Sequence, residues 1–146
     1  QCCARLSFQH YPSGIGHLAR HADPVDHHQV VVPIVLMSAK RGHAGSKPGE
    51  EFDFVEGGLF LERSDGTRVC VDDLGGVGTV VFTNARVAHG VEPIDPISNY
   101  EKAKASDIDW LAFKGRWMAG VFVNKLPGNT EVGNAVELAG KKSAPE

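Results

Sequence analysis

Short apolar runs rich in β-branched residues, cut apart by Gly- and Pro-containing turns, set the pattern of this chain. Residues 2–8 (CCARLSF), 28–38 (HQVVVPIVLMS), 57–63 (GGLFLER), 67–73 (TRVCVDD), 78–84 (GTVVFTN), 85–94 (ARVAHGVEPI) and 115–126 (GRWMAGVFVNKL) each read as a strand. The run 28–38 is the most apolar and reads as a buried strand. Pro33 inside it has no N–H to give a ladder, which points to an edge or a bulge. The "SDG" between 57–63 and 67–73 is a hairpin turn signal. Seven short strands with turns every ~8–12 residues predict a sandwich, a jelly roll or a barrel. Helical periodicity is weak except over 99–113 (NYEKAKASDIDWLAF), a polar insertion that reads as a short helix or a lid. No repeat and no domain boundary stand out, so 1–146 reads as one domain.

Composition narrows the class. A chain of 146 residues is long enough for a single domain with its own core. Lys and Arg total 15 against 18 Asp and Glu, a net charge of −3 without a basic block. That leaves no electrostatic footprint for nucleic acid and no polybasic membrane patch. No apolar run reaches the ~18 residues of a membrane span, and no signal peptide is evident. Cys2, Cys3 and Cys70 make an odd count with one adjacent pair, a poor disulfide framework. A reducing, cytoplasmic setting is therefore expected. The chain starts at Gln1, not Met, so a fragment or a processed chain is the expectation.

The chemistry concentrates in "GHLARHADP", residues 16–24. His17, Arg20 and His21 crowd together, and His21 is followed two positions later by Asp23. On a strand, positions i and i+2 face the same way, so imidazole and carboxylate would share a target. His89 stands isolated in "RVAHGVEP". Two imidazoles and one carboxylate make the facial set of non-haem Fe(II) oxygenases, which leaves half of the metal's positions open. Arg116, in "GRWMAG", adds a planar guanidinium able to grip a carboxylate by two parallel hydrogen bonds, such as the distal group of a 2-oxo diacid. A surface His–Asp pair, a buried backbone-bonded His89 and a surface ion pair at Arg116 are the plain alternatives. His10, His17 and His43 read as surface residues. His27 and His28 read as a polar strand start, and Trp110, Phe113 and Trp117 as core aromatics. "DLGGVG" is a turn and not a phosphate loop, because it lacks Lys-Ser/Thr and a following helix.

The segments "YPSGIGHLARHAD", "DFVEGGLFLE", "GTVVFTNARVAHGVEPI" and "GRWMAGVFVN" occur in the order seen in the Fe(II)/2-oxoglutarate-dependent dioxygenases. The chain resembles their prolyl-4-hydroxylase-like branch over residues 8–125. The resemblance implies an all-β core, a double-stranded β-helix (jelly roll, cupin-like) with a minor helical insertion. It implies that His21, Asp23 and His89 bind Fe(II), that Arg116 binds the 2-oxoglutarate C5 carboxylate, and that Tyr11 lines the co-substrate pocket. O2 would be the oxidant, and ascorbate would support turnover in assays. The reaction implied is hydroxylation of an unactivated C–H bond of an amino-acid-like, peptidyl or small-molecule substrate, with release of succinate and CO2. Asp23 fits hydroxylation, since the related halogenases carry Gly or Ala there. Two departures stand out. The insertion 95–114 lengthens the gap between His89 and Arg116 and is expected to cover the active site. Met118 stands where the family often has a serine. N-terminal substrate-binding elements of the family are expected to be missing from this chain. A cupin-type metal enzyme that does not use 2-oxoglutarate and a non-catalytic jelly-roll binding module are the other readings. Oligomeric state is not readable.

Overall fold

The computed structural model describes residues 2–23, 31–104, 106, 108 and 112–125. Among the described residues, eight strands form: β1 (Cys2–Pro12), β2 (Leu18–His21), β3 (Val31–Leu36), β4 (Gly58–Glu62), β5 (Arg68–Cys70), β6 (Val80–Asn84), β7 (His89–Glu92) and β8 (Gly115–Lys125). They make two four-stranded antiparallel sheets, in the orders β1-β8-β3-β6 and β2-β7-β4-β5. The "SDG" turn does join a hairpin, with Phe60 opposite Cys70 and Glu62 opposite Arg68. Outside it lie β3 with β6, then β2 with β7, then β1 with β8. The pairings are nested around the hairpin, and this brings residues far apart in sequence together at each level.

The sheets face each other across one core. Val32, Ile34 and Leu36 of β3 and Met118 of β8 meet Leu59 of β4 and Val91 of β7. Alternation along β3 explains its half: 32, 34 and 36 turn inward, while Val31 on the other face is 45% exposed. The continuous apolar run is therefore not buried on both sides.

Several expectations change. The region 85–94 is a turn followed by a short strand: Val87 N–H donates to Asn84 O (2.9 Å), and pairing begins only at His89. The region 67–73 leaves its strand after Cys70 and closes in a 3₁₀ turn over Val71–Asp73. Pro33 sits on an interior strand, opposite Phe82 of β6, not on an edge. Pairing of β3 with β8 starts one residue later, at Ile34, so a residue without an N–H falls where that ladder begins. Of the insertion, a 3₁₀ turn spans Tyr100–Lys102. Two residues of the insertion pack on the turn between β1 and β2: Ile97 N–H donates to Gly14 O (3.1 Å) and the Tyr100 ring meets His17 edge-on. Residues 28–30, His27, His28 and Trp110 lie outside the described residues. Among the described residues, no helix is long and apolar enough to cross a membrane.

Candidate metal centre

A local irregularity of β2 decides where His21 points. Leu18 lies opposite Val91 and His21 opposite His89, three steps on β2 against two on β7. The extra residue is a bulge, which re-aims the side chains after it. In a regular strand, Leu18 and His21 would face opposite ways. Here both line the same cavity. Asp23 reaches that cavity from beyond the end of β2, so strand alternation is not what aligns it with His21. Its backbone N–H donates to Ala85 O (3.0 Å), which ties it to the turn that leads into His89.

His21, Asp23 and His89 each offer a ligand atom, all within 4.8 Å of one another. His21 Nε2 is 3.8 Å from Asp23 Oδ1, and His89 Nε2 is 3.9 Å from Asp23 Oδ2. Those separations are too long for hydrogen bonds. The other ring nitrogens are held: His21 Nδ1 lies 2.9 Å from Ala19 O, and His89 Nδ1 lies 2.9 Å from Val87 O. A carbonyl only accepts, so each Nδ1 carries a proton, and each ring turns its other nitrogen, Nε2, toward the carboxylate. Two imidazole nitrogens and a carboxylate then face one point, a donor set that can hold a metal ion. A backbone acceptor fixing the far nitrogen is also how metal-bound imidazoles are usually oriented. The set is two nitrogens and one carboxylate, which suits a divalent transition metal and leaves positions open. Side-chain exposure of 37% for His21, 21% for Asp23 and 12% for His89 puts the cluster at the mouth of the cavity.

The cavity runs inward between the sheets along Leu18, Val32, Ile34, Leu59, Val91 and Phe122, with Gln9, Thr83 and Tyr11 as polar points. None of the described residues of the insertion lines it. Tyr11 donates its hydroxyl to Gln9 Oε1 (2.9 Å). Burial pushes the Tyr11 phenol up, against the opposing pull of the Arg116 charge, so it stays a donor at neutral pH.

Arg116 is fully buried opposite Tyr11, with its Cζ 5.9 Å from the Tyr11 ring centre. It is not on the cavity wall. Its Nε donates to Asp72 Oδ2 (2.7 Å), while Nη1, Nη2 and also Asp72 Oδ1 are buried without a hydrogen-bond partner among the described residues. The pair is buried, not on the surface. Asp72 escaped the sequence reading. Nothing local separates it from Asp73, which is half exposed and pairs with Lys40 (2.8 Å). His43 is also buried and not on the surface, its Nδ1 2.8 Å from Lys40 O. Trp117 and Phe113 lie away from the core: Trp117 stacks on His10 (3.9 Å) outside the sheet, and Phe113 is exposed.

No family model matches the chain, and no curated protein matches it. Among solved structures it is similar to the crystal structure of a Pseudomonas putida prolyl-4-hydroxylase, at 20% identity and a TM-score of 0.44 over 88% of this chain. The match covers 54% of that chain, so this chain spans about half its length.

Proposed function

We propose that this chain is the catalytic core of an Fe(II)- and 2-oxoglutarate-dependent oxygenase, folded as a double-stranded β-helix. It hydroxylates a C–H bond of an amino-acid-like, peptidyl or small-molecule substrate. The observation that carries this is the convergence of the His21 and His89 rings and the Asp23 carboxylate at the mouth of an apolar cavity. The nested ladders support the fold, since eight strands paired around one hairpin and split between two sheets are what a wound antiparallel ribbon produces.

His21, Asp23 and His89 would hold the iron, and a set of three protein ligands would leave positions for exogenous ones. Bound there, iron with 2-oxoglutarate supplies the oxidising power for hydroxylation, with O2 consumed and succinate and CO2 released. Arg116 would take the distal carboxylate of the diacid. The fit rests on Nη1 and Nη2, two buried donors without partners, which a carboxylate satisfies together. Tyr11 flanks that guanidinium and lines the cavity. Inward of that mouth the cavity walls are mostly apolar, which strengthens charge interactions inside.

One observation favours a second reading, a cupin-type metal enzyme that does not use 2-oxoglutarate: Arg116 is off the cavity wall and already paired with Asp72. Succinate release from 2-oxoglutarate with Fe(II), ascorbate and O2 across a substrate panel separates the two. The oxygenase reading expects succinate from the wild type and none from Asp23→Ala. Tight metal binding without consumption or binding of 2-oxoglutarate would replace it by the second reading.

A further inference from the structure

Asp72 grips Arg116 in a way that leaves a defined part of the guanidinium free. A guanidinium can be met side-on, through Nε and one Nη, or end-on, through both Nη groups. Asp72 takes Nε alone, through Oδ2, and its Oδ1 has no hydrogen-bond partner among the described residues. Oδ2 also accepts the Leu59 backbone N–H at 2.6 Å, which ties the carboxylate to β4. Space for this comes from Gly58, where a Cβ would stand 2.8 Å from Oδ2. Asp72 is 1% exposed and Arg116 0%. The pair adjoins three residues that wall the cavity: Leu59 through its N–H, Tyr11 through its ring, and Met118 two positions along β8. Met118 brings no hydrogen-bond donor, so nothing at that position helps to aim an anionic ligand.

We propose that Asp72 is a positioning residue: by holding Arg116 at Nε it presents the end-on Nη1/Nη2 edge to the distal carboxylate of a dicarboxylic co-substrate. This rests on the oxygenase reading above. Two physical needs are met at once. An unpaired buried guanidinium is strongly unfavourable, and Asp72 compensates its charge when no diacid is bound. A carboxylate with two oxygens then matches the two remaining donors in the bidentate geometry that gives both strength and direction.

The test is a binding measurement, not turnover. Protein loaded with Mn2+ is titrated with 2-oxoglutarate and with 2-oxobutyrate, which has the same 2-oxo acid head and no distal carboxylate, and melting-temperature shifts give the two affinities. The wild type prefers the diacid. Asp72→Ala cuts that preference by at least about tenfold, or about 1.4 kcal/mol, with 2-oxobutyrate and Mn2+ affinities unchanged. Asp72→Asn, which keeps an oxygen for Leu59 N–H and for Nε, retains most of the preference. If Asp72→Ala does not fold, Asp72→Glu takes its place, since it keeps the charge, displaces the guanidinium by one methylene, and carries the same expected loss. A wild-type preference that survives in Asp72→Ala or Asp72→Glu overturns the role of Asp72 alone. A wild type with no preference for the diacid overturns the oxygenase reading and this proposal with it.

Discussion

Each imidazole of the cluster donates Nδ1–H to the carbonyl two residues before it, and so each Nε2 is committed to the same point as Asp23. Replacing His89 or Asp23 with Ala should therefore cost more metal affinity than the ~10–100-fold typical of losing an outer partner, as read by calorimetric titration with Ni2+ or Zn2+. Affinity should also fall with acidification, because protons compete for Nε2, and a chelator should lower the melting temperature of metal-loaded protein. Retention of full affinity by Asp23→Ala would remove Asp23 from the ligand set. Cys70 shows the opposite kind of residue. Burial pushes its thiol up, opposed by Lys40 and reinforced by Asp73 and Asp72. A raised pKa means less thiolate near neutral pH, hence low nucleophilicity. Cys70 should be alkylated by iodoacetamide more slowly in the folded chain than in urea at pH 8, with mass spectrometry assigning the site.

The strand that carries His21 separates the crowded residues of "GHLARHADP". The bulge turns His21 inward, while Arg20 crosses the outer face to Glu62 (2.6 Å) and His17 stays at the strand's start. Arg20→Ala should leave metal affinity unchanged. Glu62 is held below the usual carboxylate range by its hydrogen bond and charge contact with Arg20, aided by Arg68. A depressed pKa stabilises the fold above the ordinary carboxylate range and loses that contribution as pH falls through the lowered value. The melting-temperature difference between wild type and Glu62→Gln should accordingly be present at neutral pH, vanish in acid and shrink in salt. The closeness of β7 to its neighbours depends on Gly90, where a Cβ would come within 2.7 Å of Leu18 O and 2.8 Å of the Phe60 ring. Gly90→Val should cost about 1–3 kcal/mol by overpacking and weaken metal binding as well, because it pushes His89 away from His21. A melt and a metal titration on the same sample check both.

Across the whole molecule, the outer face of the β1-β8-β3-β6 sheet is apolar. Leu6, Phe8, Val31, Val80 and Phe82 are 45–69% exposed on it. Exposed apolar surface of this extent binds hydrophobic probes. The folded chain should enhance the fluorescence of such a dye, and the double variant Phe8→Thr, Phe82→Thr should lose most of that signal. Its melting temperature should move little, since both rings are already in water. A dye signal unchanged by the double variant would place the binding elsewhere.

The sequence by itself determined what depends on neighbours along the chain. The β-branched runs, the "SDG" hairpin and the all-β class follow from alternation and turn chemistry, which are local. His21, Asp23 and His89 were legible as an isolated chemical set. Their convergence was decided by tertiary structure: a one-residue bulge in β2 that only pairing with β7 reveals, and a backbone hydrogen bond from Asp23 to Ala85 across 62 positions. The same holds for Asp72 against Asp73, adjacent and chemically identical, one buried against Arg116 and the other half exposed beside Lys40. It holds for His43, for the interior place of Pro33 and for Ile97 and Tyr100 of the insertion, which pack on the turn between β1 and β2. Periodicity tells which residues can share a face. Which face is covered, and by what, is set by contacts between segments far apart in sequence, and the nested pairing of the two sheets makes nearly every such contact long-range.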